Sequence, residues 1–577
     1  MDSERRLANS LPTRSQIEGA RCLRIAWAAL ALVATLLSTR ASAQLSNSES
    51  AGVVRGVVVN KVTRAPIARA LVSSSDQRLA VLTDSEGRFE FKLPETRAGD
   101  GPENSANVST FFFARKPGFL PQNGNAFAGG RDLTLTLVPE AVIVGKVTLP
   151  NSEAPDSIFL QVFREQVMDG RAHWVAVGGT QTRSDGEFRF PELRAGTYKV
   201  LTRELLDRDP LSADPQGQLY GYPPVYGQNS PDFGSAATIQ VFPGITTAVN
   251  LSVARKPYYS VHIPVMNAAP NTGLNVNVSV LGRGGPGYSL GYNNREQAIE
   301  GMLPNGSYTL EALGYGQNGL AGTSTITVNG AAVRGPSLML VPNASIRVDV
   351  NEQFTSTDNS GSITFNGTRA ITLKGPRRYL NVILEPADDT AQSGGITLRN
   401  PTRNGDEALV IENAWPGRYW VRATSSRGYV ASVRSGSVDL LHEPLVVAGG
   451  SSPPPLEITM RDDTAEINGT VEGIPAPSSG ARNATDLSNR AVAFLYYIPT
   501  ADSSGQFAES ASPDGTFSSP PLAPGAYRVL AFDRPQPELE YRNPEAMEAY
   551  SGKGPTVRVA GGQNEHVRLQ LISSSEE

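Results

Sequence analysis

Histidine, cysteine and carboxylate side chains are the groups that could carry catalysis or hold a metal in this chain of 577 residues. The four histidines, His173, His262, His442 and His566, lie roughly 90–180 residues apart. No two of them have the local spacing of a zinc site, and His-Glu-x-x-His does not occur. A Ser-His-Asp triad would have to assemble from distant segments. We therefore predict no catalytic residue, no metal ligand and no cofactor.

The single cysteine, Cys22, precedes an apolar run from Ile25 to Leu37. Basic residues before the run and Ala41-Ser42-Ala43 after it predict a Sec-type signal peptide over residues 1–43, cleaved after Ala43. The alternative is an uncleaved anchor, although a membrane span needs about 20 apolar residues. Cleavage would leave a chain without cysteine, and so without a disulfide or a thiolate. We expect a secreted, periplasmic or cell-surface protein with no stable membrane span.

Charge narrows the choice of partner. Cleavage after Ala43 would remove six arginines and three acidic residues, and would lower the formal net charge from −5 to about −8. A mildly acidic chain with scattered arginines argues against nucleic acid as a partner. The oligomeric state stays open.

One segment, Leu219–Gly227, has the composition of a binding surface. Exposed aromatic rings offer flat apolar faces on which sugars stack. Tyr220, Tyr222 and Tyr226 are therefore candidate ligand-binding residues for a polysaccharide or another cell-surface component, and Trp174 is a further candidate contact. The alternative is that the segment folds back over the sheet or against the next domain, with Trp174 in the core.

A repeat of about 110 residues identifies the elements that would position these side chains. Its fullest copy runs from Ser184-Asp185-Gly186-Glu187-Phe188 to Gly196-Thr197-Tyr198, and its second turn returns at later tyrosines. The four tyrosines, 110, 111 and 108 residues apart, are Tyr198, Tyr308, Tyr419 and Tyr527. Asp-Gly supplies the positive φ of a tight turn, and alternating aromatic residues share one face of a strand. The pattern predicts an all-β fold, a tandem array of Ig-like or transthyretin-like β-sandwich domains.

Opening and closing strands divide the remainder of the chain into five sandwiches. The predicted domains are residues 50–139, 140–256, 257–342, 343–461 and 462–577. The linkers between them are one to three residues long, so we expect a stiff array with contacts between neighbours only, shaped as a bent rod.

The first copy resembles the carboxypeptidase regulatory-like domain through Gly56, the strand Pro66–Val72, Thr83-Asp84 with Gly87-Arg88-Phe89, and Lys116-Pro117-Gly118-Phe119. The second and fifth copies resemble it through their Asp-Gly-x-Phe and Gly-x-Tyr turns. The third and fourth copies lack Asp-Gly-x-Phe. The resemblance implies a transthyretin-like or prealbumin-like sandwich of the type repeated in secreted bacterial proteins, with glycan binding or surface display as its role and no catalytic residue.

These observations together predict an exported, non-catalytic multidomain protein. A cell-envelope or secreted module that binds polysaccharide is the leading interpretation. A purely structural spacer or adhesion stalk is the alternative, and an accessory region of an exported enzyme or receptor system is a second alternative. The tyrosines of Leu219–Gly227 are the feature that separates the first two.

Overall fold

The computed structural model describes residues 53–92, 111–121, 125–126, 132–150, 157–208, 214, 217–268, 273–314, 319–356, 363–366, 370–388, 395–403, 406–474, 492–500 and 505–573. The predicted signal peptide, with Cys22, lies outside these residues. Strands dominate the described part of the chain, which is a tandem array of β-sandwich domains, as predicted. None of its helices has the length and apolar character needed to cross a membrane.

The first two sandwiches use the strands up to residue 252. Those of the first are β1 (Val53–Asn60), β2 (Leu71–Ser74), β3 (Ala80–Leu82), β4 (Arg88–Lys92), β5 (Phe111–Arg115), β6 (Asn125–Ala126) and β7 (Leu133–Leu137). Those of the second are β8 (Ala141–Thr148), β9 (Phe159–Met168), β10 (Arg171–Gln181), β11 (Glu187–Leu193), β12 (Gly196–Thr202), β13 (Leu205–Leu206), β14 (Leu219–Tyr222), β15 (Ile239–Val241), β16 (Thr246–Ala248) and β17 (Leu251–Ser252), with a 3-10 helix at Gly227–Asn229.

The later sandwiches are built in the same way. The third contains β18 (Lys256–Met266), β19 (Leu274–Val280), β20 (Gly291–Asn293), β21 (Ala298–Pro304), β22 (Gly306–Gly314), β23 (Leu320–Val328), β24 (Val333–Arg334), β25 (Leu338–Met339) and β26 (Val341–Pro342). The fourth contains β27 (Ala344–Gln353), β28 (Ile363–Asn366), β29 (Ala370–Leu373), β30 (Leu380–Pro386), β31 (Ile396–Thr397), β32 (Val410–Ala414), β33 (Gly417–Ser425), β34 (Tyr429–Ser435), β35 (Val438–Asp439), β36 (Leu445–Val447) and β37 (Leu456–Arg461), with a 3-10 helix at Gly375–Arg378. The fifth contains β38 (Glu466–Glu472), β39 (Ala493–Pro499), β40 (Ala508–Ser512), β41 (Thr516–Ser518), β42 (Gly525–Phe532), β43 (Thr556–Val559) and β44 (Asn564–Ile572), with the helix α1 (Pro544–Glu548).

The opening strand of every sandwich pairs in the same way. β1 lies between β4, which is antiparallel to it, and the closing strand β7, which is parallel. The same antiparallel and parallel neighbours flank β8, β18, β27 and β38. The third and fourth copies keep this topology although they lack Asp-Gly-x-Phe. The pairing therefore depends on the alternation of apolar residues rather than on that turn.

Three opening strands carry a glycine at a position where any side chain would clash with its neighbours. Gly56, Gly145 and Gly469 lie under the rings of Phe89, Phe188 and Phe517, respectively. A Cβ at these glycines would come within 2.1, 1.7 and 1.8 Å of a carbonyl oxygen in the neighbouring closing segment. The close approach of the closing segment and of the aromatic ring therefore leaves no room for a side chain at these three positions.

The repeated tyrosines form the same hydrogen bond four times. The hydroxyl groups of Tyr198 and Tyr308 donate to the carbonyl oxygens of Arg194 and Pro304, at 2.7 and 3.0 Å. Tyr419 and Tyr527 donate to the carbonyl oxygens of Trp415 and Ala523, at 2.9 and 2.7 Å. In each case the acceptor lies four residues before the tyrosine. This tyrosine corner fixes the turn that leads into a core strand, which explains the spacing seen in the sequence.

Each sandwich encloses its own cluster of buried apolar residues between its two sheets. The clusters draw their members from residues 54–137, 141–253, 261–340, 344–460 and 465–569. Burial of one such Val, Leu or Ile side chain contributes about 1.5–3 kcal/mol. Separate cores of this kind can hold the sandwiches together without a disulfide.

Candidate functional sites at the domain junctions

The segment Leu219–Gly227 joins the second sandwich to the third. Its strand β14 pairs with the opening strand of the third sandwich, with Leu219 opposite Tyr258 and Gly221 opposite Lys256. The strand β13 then pairs with β14, so one sheet continues across the junction. The backbone of this segment is thus used for strand pairing between domains.

The structure does not expose the three tyrosines together. Tyr226 is buried, with 3% of its surface accessible, and its hydroxyl donates to the carbonyl oxygen of Pro286 at 2.8 Å. Burial raises the pKa of this phenol. The prediction of an exposed ring is therefore wrong for Tyr226, and the alternative of a segment folded back on the protein holds there. Residues of the second sandwich, among them Leu201 and Phe233, pack against the ring, and the third sandwich accepts its hydroxyl. Tyr222 is half-buried and packs against the core of the second sandwich.

Tyr220 and Trp174 lie in separate places. Tyr220 is half-buried and has the guanidinium carbon of Arg255 4.1 Å from its ring centroid. Trp174 packs edge-on against Phe233, with ring centroids 6.1 Å apart. The ammonium group of Lys199 lies 4.6 Å from the ring centroid of Trp174. Phe233 also packs edge-on against Tyr226, which places that ring and Trp174 around one small cluster. Glycan binding at the half-buried rings stays a prediction.

A carboxyl group lies in the same junction. Glu204 Oε1 accepts hydrogen bonds from the amide and the hydroxyl group of Ser289, at 2.6 and 2.8 Å. Its other oxygen, Oε2, and the hydroxyl of Tyr258 are buried without a hydrogen-bond partner within the described part of the protein. Burial raises the pKa of Glu204 to about 7, although the bonds from Ser289 lower it. The sequence gives no signal for this carboxyl, because its surroundings come from the next sandwich.

Ser289 also belongs to a Gly-x-Ser-x-Gly spacing, Gly287–Gly291, so the expectation that the sequence lacks this pattern is wrong. A nucleophile elbow requires a strand-to-helix turn. Here the serine precedes the short strand β20, and the described residues give its hydroxyl Glu204 as hydrogen-bond partner rather than a histidine. The geometry is that of a junction contact, not of a triad.

The histidines are dispersed, as their spacing predicts, but one has acidic neighbours. His262 and Glu300 face each other on paired strands, with Nδ1 and Oε1 2.8 Å apart. Ligand atoms of these two residues and Glu296 lie within 4.8 Å of one another. Glu300 also accepts from Asn293 Nδ2 at 3.0 Å, and hydrogen bonds from Asn293 and His262 lower its pKa. Strand pairing, not local spacing, brings this group together, so a sequence search for zinc motifs does not find it.

The fifth sandwich contacts the second through a clasp, which we define as Asp169, Gly170, Tyr541 and Arg542. The carboxylate of Asp169 accepts from the hydroxyl of Tyr541 at 2.6 Å and pairs with the guanidinium of Arg542 at 2.9 Å. The amide of Arg542 also donates to the carbonyl oxygen of Gly170 at 3.1 Å. A Cβ at Gly170 would lie 2.8 Å from the ring of Tyr541. The β9–β10 hairpin turn is therefore shaped to receive this segment.

Further contacts beside the clasp join the second, fourth and fifth sandwiches. The guanidinium of Arg171 stacks on Trp420, with its carbon 3.7 Å from the ring centroid. Gln506 of the fifth sandwich donates to the carbonyl oxygen of Ala423. Arg164 and Glu538 form an additional ion pair between the second and fifth sandwiches. The prediction of contacts between neighbours only is therefore wrong, because sandwiches two, four and five meet.

No family model matches the chain, and no curated protein matches it. Solved structures that align with parts of it include the minor pilin GBS52 of Streptococcus agalactiae, at 13% identity, over 36% of this chain and 97% of the pilin, with a TM-score of 0.18. The shaft pilin SpaA of Lactobacillus rhamnosus GG aligns at 10% identity, over 35% and 96% of the two chains, with a TM-score of 0.18. The Bacillus anthracis TIE protein aligns at 9% identity, over 71% and 68%, with a TM-score of 0.14. Scores this low carry no argument about this chain.

Proposed function

We propose that this protein is an exported, non-catalytic structural module of the cell surface, a spacer or adhesion scaffold built from β-sandwiches in a fixed arrangement. The observation that carries the proposal is the clasp between Asp169, Tyr541 and Arg542, which joins sandwiches far apart in sequence. Charge-assisted hydrogen bonds of this kind are stronger and more directional than neutral ones. They are suited to holding domains in one orientation.

The junction between the second and third sandwiches supports the same role. The two domains are joined by the β14–β18 pairing and by the hydrogen bond of the Tyr226 hydroxyl, in addition to the chain that links them. Relative motion of domains is the default unless their interface is large and apolar. A sheet shared by the two domains adds backbone hydrogen bonds that restrict such motion. The aromatic residues that favoured polysaccharide binding are thus largely used within the protein.

Three sequence-based predictions remain part of this proposal: export, the division into domains and the family. Export depends on the signal peptide at residues 1–43, and division into domains at residues 50–139, 140–256, 257–342, 343–461 and 462–577 is supported by the five separate cores. Membership of the carboxypeptidase regulatory-like family rests on the residues of the first, second and fifth copies.

Labelling of intact cells combined with a glycan array tests the proposal. The full chain is expressed in a bacterial host, and an antibody against the fifth sandwich is applied to intact and to lysed cells. We expect labelling of intact cells and no saturable binding to neutral glycans on the array. Labelling only after lysis would contradict export to the surface. Saturable glycan binding that is lost in Tyr220→Ala and retained in Tyr429→Ala would instead establish the binding-module alternative.

A further inference from the structure

Sandwiches two, four and five enclose a cavity of about 580 Å³ beside the clasp. Its wall is formed by side chains from all three domains, among them Arg171, Trp420, Arg422, Phe507, Arg528 and Arg542. Ligand pockets in proteins commonly measure about 300–1,000 Å³ and lie between domains. The size and position of this cavity are therefore those of a small-molecule site.

Its charge is strongly unbalanced. Four arginines line the cavity, against the single carboxylate of Asp169. That carboxylate already accepts from Tyr541 and pairs with Arg542, and Arg171 lies 3.5 Å from it. Arg422 pairs with Glu385 at 2.8 Å. Arg528 has no carboxylate within salt-bridge distance among the described residues, and its contact there is a long hydrogen bond of 3.4 Å to the carbonyl oxygen of Met547.

A neighbouring cavity of about 790 Å³ provides a comparison. It also lies between the second and fifth sandwiches, and its arginines are Arg164, Arg189 and Arg194. Two glutamates, Glu192 and Glu538, belong to the same wall, and Arg189 pairs with Glu140 at 3.2 Å. With Glu140 included, three carboxylates match the three arginines there, whereas Asp169 and Glu385 together face four arginines at the smaller cavity. An excess of cationic charge is thus specific to the smaller cavity of the pair.

Arg171 and the aromatic side chains of the wall are held in place by their own contacts, without a ligand. Arg171 is stacked on Trp420, and Phe507 is stacked on Tyr541 with ring centroids 4.1 Å apart. Burial, followed by repulsion from Arg542, lowers the pKa of Arg171 to about 10, so the guanidinium stays charged at neutral pH. The carboxylate of Asp169 already lies between Arg171 and Arg542. The cationic charge that an anion could neutralise is therefore that of Arg528, which has no carboxylate within salt-bridge distance among the described residues.

We propose that this cavity binds an organic anion carrying two or more carboxylate groups. Planar guanidinium groups match carboxylate oxygens in bidentate geometry, and the aromatic walls accept the carbon skeleton. Arg528 and Arg422 are the residues that contact the ligand. Because its wall comes from three sandwiches, the bound anion also stabilises the arrangement of the domains.

Isothermal titration calorimetry of the full chain at low salt tests this proposal. The probes are citrate and trigalacturonate, which represent a small acid and an acidic glycan, with maltotriose as the neutral control. We expect binding of at least one anion, weakened by added sodium chloride. Arg528→Gln is expected to weaken it by about tenfold or more, which corresponds to the loss of one charged contact. Arg189→Gln, in the charge-balanced cavity, is expected to leave the affinity unchanged.

A second variant, Arg528→Lys, and thermal melting of both variants test whether a loss of affinity comes from misfolding. The lysine keeps the charge but loses the bidentate geometry, so an intermediate affinity with an unchanged melting temperature is expected. Three results would overturn the proposal: no heat with either anion, equal affinity for maltotriose, or the same loss of affinity in Arg189→Gln as in Arg528→Gln. A response to citrate alone would assign the site to small acids, and a response to trigalacturonate alone to acidic glycans.

Discussion

The hydroxyl group of Tyr541 donates a hydrogen bond of 2.6 Å to the carboxylate of Asp169, across 372 residues of sequence. Tyr541 precedes the helix α1 in the fifth sandwich, and Asp169 lies in the β9–β10 turn of the second. Burial raises the pKa of Tyr541, and the charge of Asp169 adds to the shift. The phenol therefore stays protonated, and can donate this hydrogen bond, at neutral and mildly alkaline pH. Together with the ion pair between Arg164 and Glu538, this contact joins two sandwiches that an extended rod would keep apart.

Opening the clasp should change the shape of the protein. Asp169→Ala leaves Arg542 and Arg171 without their shared carboxylate, at a cost of about 2–4 kcal/mol in the interface. We expect small-angle X-ray scattering to report a larger radius of gyration for this variant than for the wild type. Arg534→Ala is the control, because Arg534 pairs only with the adjacent Asp533 among the described residues. An unchanged scattering curve for Asp169→Ala would show that the clasp does not hold the domains.

A methyl group at Gly145 should strongly destabilise the second sandwich. Its Cβ would lie 1.7 Å from the carbonyl oxygen of Val249 and 2.7 Å from the ring of Phe188. Phe188 belongs to the core and the carbonyl oxygen of Val249 is part of the backbone, so neither can move away cheaply. We therefore expect Gly145→Ala to cost about 3 kcal/mol or more. Differential scanning calorimetry measures the effect. Gly273→Ala is the matched control, since no atom lies within 4 Å of a Cβ there. An equal melting temperature for the two variants would contradict the packing argument.

The tyrosine corners should contribute equally in the four repeats. Removing one hydroxyl leaves a carbonyl oxygen without its donor at a site that is buried for Tyr308 and Tyr527 and partly buried for Tyr198 and Tyr419. Such a loss costs about 1–2 kcal/mol. We therefore expect Tyr198→Phe, Tyr308→Phe, Tyr419→Phe and Tyr527→Phe each to lower the midpoint of urea unfolding of its own sandwich. Tyr220→Phe serves as the control, because the contact of Tyr220 with Arg255 is made through its ring. A cost seen in only one repeat would mean that the corner is not a general device of this fold.

The fold was readable from the sequence because its signals are local and repeated. Asp-Gly turns, alternating aromatic residues and the spacing of Tyr198 and Tyr527 each report on neighbouring strands. The junctions were not readable. Whether Tyr226 faces solvent or Pro286 depends on where the next sandwich lies. Likewise, no local pattern pairs Asp169 with a tyrosine 372 residues later.

The junction between the second and third sandwiches should lose stability as the pH rises through neutrality. Burial raises the folded-state pKa of Glu204 from 4.5 to about 7. Between these values the folded protein binds more protons than the unfolded chain, so its stability is fully present below about pH 4.5 and is lost as the pH rises through about 7. The loss is at most about 3 kcal/mol, since each unit of pKa corresponds to 1.36 kcal/mol. Other carboxyls act in the opposite direction at lower pH. Hydrogen bonds lower the pKa of Asp406 in the fourth sandwich and of Asp462 at the start of the fifth, so their contribution to stability disappears in acid.

Glu204→Gln separates the two effects. The amide keeps an oxygen that can accept from Ser289 and never acquires a charge, so we expect this variant to melt at a higher temperature than the wild type at pH 8 and at a similar temperature at pH 5. Ser289→Ala provides the comparison, because it removes one donor to the carboxylate and should steepen the pH dependence. Differential scanning calorimetry gives the melting temperatures of both variants between pH 5 and pH 8. Parallel curves for wild type and Glu204→Gln across that range would show that the carboxyl of Glu204 does not titrate in the junction.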